Sequence, residues 1–294
     1  MLSVLIPIYN YNALPLVELL QKQLIKEQFA FEIICLDDAS NSSLNPINDK
    51  INLLENCSFS VLNDNLGRSA IRNLLAKKAK YSWLLFLDGD VLPVNTNFIK
   101  TYIDETKKSR FTVFCGGIKY ERNQKTKRLL HVKHGLKNEE ISARLRNKRP
   151  YKYFFTSNFL IDKGIFKTIK FEEKLTKYGR EDFLFALALK NENFKIHHIS
   201  NEIYHLGLES DESFVAKTKQ AMKNLYFLKQ ENLISSNETI LLKILKLLQT
   251  VRISNFIGKL NPYFEDKAIR RKSLFYLNCL KVSYLCHLKA NSEI

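Results

Sequence analysis

Glycine and proline are scarce in this chain, 9 and 6 among 294 residues. That excludes collagen-like and low-complexity architectures, which depend on one or both. Cysteine is scarce too, and Cys35, Cys57, Cys115, Cys279 and Cys286 include no CxxC pair. The count is odd and no zinc-type spacing exists; Cys35 and Cys115 lie in apolar runs, as buried reduced thiols of a cytosolic protein do. No uncharged apolar stretch reaches the ~18 residues that a membrane span requires. No basic segment precedes the first apolar run and Pro7 interrupts it, so a secretory leader is not expected. Acidic residues are the last shortage: 30 Asp and Glu face 46 Lys and Arg, a net charge of +16. Such a surplus calls for an anionic partner: nucleic acid, an anionic membrane or a phosphorylated substrate. Hydrophobic residues at 45% exclude a disordered chain, and the length allows one large domain or two small ones.

What is present begins with an alternation. Apolar runs at Ser3–Ile8, Phe31–Leu36, Phe59–Leu62 and Trp83–Leu87 read as strands; Leu14–Glu27, Gly67–Ala79 and Asn95–Lys108 have helical spacing. Near-continuous apolar strands separated by helices specify a parallel sheet covered on both faces. Ligands of such sheets bind beyond the carboxyl ends of the strands. Three strands end in polar groups, Tyr9-Asn10, Asp37-Asp38 and Asp88-Gly89-Asp90, so these are expected to converge on one site. Further strands are expected at Phe111–Lys119, Phe154–Ile161 and Phe194–Ile199, with a helix at Glu181–Lys190 and helices from Val215 to the end.

The positive charge is concentrated. Residues 119–152 hold 12 Lys/Arg against 3 Asp/Glu, and residues 215–294 hold 14 against 5. The remainder is near neutral. The first stretch reads as an excursion beside the site, with cations placed to meet phosphates or another anion. In the second, Ile240–Val251 places Lys243, Lys246 and Thr250 on one helical stripe, and Arg270-Arg271-Lys272 precede Leu274, Leu277, Tyr284, Leu285 and Leu288. Basic amphipathic helices either pack on a protein partner or lie on an anionic membrane, and the sequence leaves both open. No nucleic-acid motif accompanies the charge, and aromatics are not interleaved with cations as a stacking platform requires. A nucleotidyltransferase would carry a Gly-rich phosphate loop after the first strand, which PIYNYNA is not.

Two carboxylates one residue apart at a strand end, Asp88 and Asp90, can both reach one hard cation, and Gly89 permits the tight turn. An Asp-Gly turn formed for backbone reasons alone would look the same. Glu181-Asp182 opens a helix, where negative charge meets the positive end of the dipole. His205 follows a strand, His197-His198 end another, and Thr156-Ser157-Asn158 precede an apolar run.

Ser3–Asn10 (SVLIPIYN), Glu32–Ser40 (EIICLDDAS), Asn65–Asn73 (NLGRSAIRN) and Leu84–Asp90 (LLFLDGD), in this order and spacing, resemble the family 2 glycosyltransferases with the GT-A, or nucleotide-diphospho-sugar transferase, fold. The resemblance covers roughly residues 1–210. It implies an α/β, Rossmann-like, mixed and mostly parallel sheet flanked by helices. The expected division is a catalytic domain over residues 1–214, with a nucleotide-binding half (1–110) and an acceptor-binding half (111–214), then a basic helical extension over residues 215–294.

The resemblance also implies roles. Tyr9 lies along the uracil face, Asp37 or Asp38 accepts the uracil N3–H, and Pro7, Asn65, Arg68, Arg72 and Asp88 complete the nucleotide side. Asp90, from the DXD motif, leads the metal ligands, with His205 and Asp88; imidazole favours Mn2+ over Mg2+. Asp182, or alternatively Glu181, is the general base of an inverting transfer, and Asn158 lies toward the acceptor or donor sugar. The implied enzyme is a hexosyltransferase-type one using a UDP-sugar and a saccharide or lipid-linked acceptor, in polysaccharide or glycolipid assembly. It is expected in the cytoplasm or peripherally on the inner membrane face. The competing reading is a basic nucleic-acid or membrane-binding protein without catalysis.

Overall fold

The computed structural model describes residues 1–122, 124, 126–175 and 178–291. Two compact units are distinguished: Met1–Glu121 with Gly135–Thr176 and Glu181–Gly207, and Arg122–His134 with Lys177–Arg180 and Leu208–Ile294. The second unit therefore starts at Leu208 rather than at residue 215, and it takes in part of the first basic stretch.

The first unit is built on strands β1 (Leu2–Ile8), β2 (Phe31–Asp37), β3 (Cys57–Val61), β4 (Trp83–Leu87), β5 (Val91–Pro93), β6 (Val113–Cys115), β7 (Ile118–Lys119), β8 (Asn158–Asp162), β9 (Ile196–His198) and β10 (Ile203–His205). Seven form one sheet in the order β3-β2-β1-β4-β8-β6-β9. The β3-β2-β1-β4 portion is parallel, and β8 runs antiparallel to both β4 and β6. A small second sheet has the order β5-β10-β7. The expected strand Phe111–Lys119 is thus broken into β6 and β7, which belong to different sheets.

Gly116 and Gly117 make that break. A Cβ on Gly116 would overlap the Asn201 carbonyl and the Asn158 amide, and Gly117 has φ +94° with the Arg146 guanidinium pressed against it. Only glycine combines that conformation with that closeness.

Side-chain alternation gives each sheet face its own core. On one face Leu5, Ile34, Leu36, Leu84, Phe86, Phe159 and Ile161 join Ile71 and Leu75 of the helix Arg68–Lys78 and Phe185 of the helix Glu181–Asn191. Aromatic rings fill its centre: Phe86 stacks on Phe159 at 4.7 Å and Phe171 on Phe185 at 4.3 Å. This packing fixes the helix Glu181–Asn191, and with it the Glu181-Asp182 pair on its first turn. On the other face Val4, Ile6, Ile33, Cys35, Leu85 and Leu160 are also buried. The helices Leu14–Lys26 and Phe98–Lys108, which pack together, bury Leu16, Leu20, Phe98 and Tyr102. No disulfide forms; Cys35 and Cys115 are buried free thiols whose ionisation burial pushes far up.

The first basic stretch is not a plain loop. It contains the helices Leu130–Asn138 and Ala143–Arg146 and a turn of 3-10 helix at Pro150–Tyr153, with residues 123 and 125 outside the described ones. The second unit is helical: Asp211–Gln230, Ile240–Thr250, Ser254–Lys259, Asn261–Arg271 and Leu274–Asn291. The last of these packs against the other four. Leu130, Val215, Ala268, Leu277 and Leu280 form a core there. The helical reading of the C-terminus holds to Asn291; residues 292–294 lie outside the described ones.

Candidate functional site

Parallel strands deliver their carboxyl ends to one edge of the sheet. Ile8 of β1 is in register with Asp37 of β2, and the Asp38 N–H donates to the Ile8 carbonyl at 2.9 Å. Tyr9, just past β1, is 62% exposed and presents a free aromatic surface at that edge. A Cβ on Gly89 would lie 3.3 Å from both the Pro7 carbonyl and the Ile8 side chain, so the Asp88-Gly89-Asp90 turn leans on the end of β1.

Both aspartates of the second motif accept hydrogen bonds within the protein. Asp37 accepts from the Ser40 N–H (2.8 Å) and hydroxyl (2.6 Å). Asp38 reaches across to the third motif, taking the N–H groups of Leu66 (2.7 Å) and Gly67 (2.9 Å), while the Asn65 amide donates to the Asp38 carbonyl (2.9 Å). Asp38 and Asn65 therefore lock the loop that opens the helix Arg68–Lys78.

That helix carries two arginines with different roles. Arg72 was expected at the nucleotide, but it is 2% exposed. It donates to Asp88 at 2.5 Å and to the Arg68 carbonyl at 2.9 Å. It positions Asp88. Arg68 has a half-exposed side chain and lies 3.4 Å from Glu181. It also lies near enough to Asp90 to help hold that carboxyl below its usual range.

Asp90 sits 3.5 Å (Oδ2 to Nε2) from His205 on β10. Burial opposes ionisation of this aspartate, but His205 and then Arg68 outweigh it, and the net shift is downward. Burial likewise opposes protonation of His205. The adjacent Asp90, with Glu139 and Asp88 further off, prevails and raises its pKa. The Tyr120 ring meets His205 edge-on at 5.7 Å, and the Tyr120 hydroxyl donates to Glu139. A Cβ on Gly207 would overlap the Asp90 carboxylate, so a side chain at position 207 would displace this acid from His205.

Glu181 is buried, with one carboxylate oxygen toward Arg68 and the other, Oε2, without a hydrogen-bond partner among the described residues. Asp182 is half-buried, and its Oδ1 accepts from the Phe183 N–H at 2.7 Å. Within the second unit, the Asn224 amide donates to the Gly179 carbonyl at 2.7 Å and so anchors the residues that precede this pair in sequence.

The structure thus pairs Asp38 with Asn65, Arg68 with Glu181, and Asp90 with His205. It turns Asp88 toward Arg72. Among the described residues no three His, Cys, Asp or Glu side chains group to hold a metal ion. Asn158 differs from expectation. It is 2% exposed, and its amide is spent on Tyr102, Gly117 and Asn201. It braces the β6–β7 break and does not face an acceptor. The sequence reading missed Tyr11, Tyr120 and Glu139. Tyr11, whose ionisation is disfavoured by burial and then by Asp90, directly follows the first motif. Glu139-Glu140 are two acids in a strongly basic stretch, a break in charge pattern that would have flagged them.

Solved structures share the fold. S. aureus TarS 1-349 superposes with a TM-score of 0.54 at 18% identity, covering 99% of this chain and 91% of that one. Its complex with UDP superposes at 0.51, with the same identity and coverage. The mannosyltransferase PcManGT from Pyrobaculum calidifontis, in complex with GDP-Man and Mn2+, superposes at 0.61 with 10% identity, covering 99% of this chain and 87% of that one. At such identities the likeness is one of fold. No curated protein matches the sequence. Residues 3–170, more than half of the chain, match the profile of Glycosyl transferase family 2. With the four strand-end motifs assembled on a mostly parallel sheet, the chain belongs to that family and is a glycosyltransferase of GT-A fold.

Proposed function

We propose that this enzyme transfers a sugar, with inversion, from a nucleotide-diphospho-sugar to an acceptor hydroxyl, and that the donor's nucleoside is uridine. The observation that carries the reading is Arg68. This one cation touches Glu181 of the Glu181-Asp182 pair and acts on Asp90 of the strand-end motif. Groups suited to a diphosphate and groups suited to an acceptor hydroxyl are thereby held together.

On the donor side, Tyr9 offers an exposed ring against the base, beside Pro7, and the Asp37-Asp38 pair offers acceptors for the imide N3–H. Asn65 shapes the loop from which Arg68 reaches the phosphates. Asp90 and His205 supply a hard oxygen and an imidazole nitrogen facing each other at 3.5 Å. That pair fits Mn2+ or Mg2+ sites in which protein ligands are few and substrate phosphates complete the shell. Asp90 and His205 would hold such a cation, with Asp88, tethered by Arg72, nearby, and it would supply positive charge to the diphosphate.

Asp182 takes the proton of the acceptor hydroxyl as its oxygen bonds to the anomeric carbon. The carbon–phosphate-oxygen bond breaks on the opposite face, and the nucleoside diphosphate departs with the electron pair. Glu181 fits this role less well, because it is buried where Asp182 is half-buried. The acceptor is a saccharide or lipid-linked hydroxyl, in polysaccharide or glycolipid assembly.

Hydrolysis of UDP-, GDP- and TDP-sugars with Mn2+ tests the donor without an acceptor. Turnover is expected for a UDP-sugar and is expected to vanish on chelation; activity surviving exhaustive chelation refutes the metal role. Asp182→Asn is expected to lower transfer about 10²–10⁴-fold with UDP binding unchanged by calorimetry. Near-normal transfer would overturn the base assignment.

A further inference from the structure

The helix Ile240–Thr250 is apolar on two sides. Leu242 and Leu245 are buried within the second unit. Ile240, Ile244, Leu247 and Val251, three or four residues apart, form a single stripe along the helix, and all four are exposed. Ile253 and Phe256 (64%), in the next turn and the helix Ser254–Lys259, are exposed as well. Lys243, Lys246 and Thr250 run alongside the stripe, all exposed, as are Arg252 and Lys259. Residues 240–260 hold four cations and no Asp or Glu. Lys229 adds to the crowd: burial, then Lys289 and Lys246, make its protonation harder.

We propose that this face docks on an anionic phospholipid surface. Ile240, Ile244, Leu247, Val251 and Phe256 enter the boundary between headgroups and acyl chains, and Lys243, Lys246, Arg252 and Lys259 meet the lipid phosphates. Exposed aliphatic side chains gain free energy on leaving water for that boundary, and each cation near the surface adds to the attraction. A second copy on the same face would set four cations against four with no acid between them. A nucleic-acid backbone gives a row of isoleucine and leucine nothing to bury against.

Sedimentation of the full chain with vesicles tests this, comparing phosphatidylcholine alone with phosphatidylcholine mixed with phosphatidylglycerol. The chain is expected to pellet with the mixed vesicles only, and less so as salt rises. Lys243→Gln and Lys246→Gln are each expected to weaken binding about fivefold. Ile244→Ser, Leu247→Ser and Phe256→Ser combined are expected to weaken it about tenfold or more. Donor hydrolysis in solution without vesicles checks that the variants are folded, and its outcome is independent of lipid binding. Failure to pellet with anionic vesicles at low salt overturns the proposal, as does equal pelleting of the wild type and the triple variant. A dimer in light scattering that Leu247→Ser dissociates assigns the face to a second copy instead. Tighter binding to an oligonucleotide than to the mixed vesicles assigns it to nucleic acid.

Discussion

Two stretches carry surpluses of positive charge and use them in opposite ways. In residues 119–152 one cation is driven into the interior. Arg146 is 0% exposed. Its guanidinium donates to the carbonyls of Ile141 (2.6 Å), Gly116 (3.0 Å) and Ile199 (2.7 Å), and its Nε donates to His198 Nδ1 at 3.1 Å. In residues 240–260 every cation faces water beside uncovered aliphatic side chains. Counting charge therefore finds where cations are, whereas burial decides what they do. The buried one is an internal strut between β6, β9 and the segment around Ile141, and it cannot greet a phosphate.

The sharpest way to break this contrast is to remove the strut. Arg146→Met strands three carbonyls, and the urea midpoint is expected to fall by an equivalent of about 3 kcal/mol or more. Arg144→Met, two residues earlier and exposed, serves as the control. An equal loss in both would show that burial does not separate them.

The next effect is pH-dependent. His198 accepts from Arg146 at Nδ1, so its Nε2 carries the proton donated to the Pro150 carbonyl at 2.9 Å, and the ring is neutral. Burial pushes its pKa down to about 4, with the Arg146 and His197 charges adding to the shift against the pull of Pro150. The unfolded chain, near 6.5, binds this proton first as pH falls. The contribution is therefore intact above pH ~6.5 and is lost down to about pH 4, an effect of about 3 kcal/mol. Urea titrations across that window should show the decline; a flat profile would remove His198 from the strut. The smallest effect belongs to the outward cations. Lys243→Gln is expected to shift stability by less than about 0.5 kcal/mol, which the same titration resolves.

The sequence disclosed the strand ends because chemistry and topology coincide there. Tyr9, Asp37-Asp38 and Asp88-Asp90 each terminate an apolar run, and each lies at the carboxyl edge of the sheet. Where a residue's use depends on what folds over it, the sequence was silent. Asn158 looked like a polar strand start and proved to be a buried brace. Arg72 looked like a nucleotide contact and proved to hold Asp88. ILLKILKLLQT carries Leu or Ile over a broad arc beside its Lys243-Lys246-Thr250 stripe, so its pattern does not tell which part of that arc is covered. The split of residues 111–119 turns on Gly116-Gly117 and on an arginine about thirty residues later.

The small sheet also sets an order of assembly during synthesis. Its middle strand, β10, is made last, after β5 and β7, and neither of those pairs with the other. Until β10 leaves the ribosome, Asp90 has no His205 beside it and Gly207 has nothing to pass. A nascent chain arrested before β10 can pair β1 through β4 and present the strand-end acids, yet it lacks the imidazole. The Asp90–His205 pair is thus a late product of translation, completed only when more than two thirds of the chain already exists.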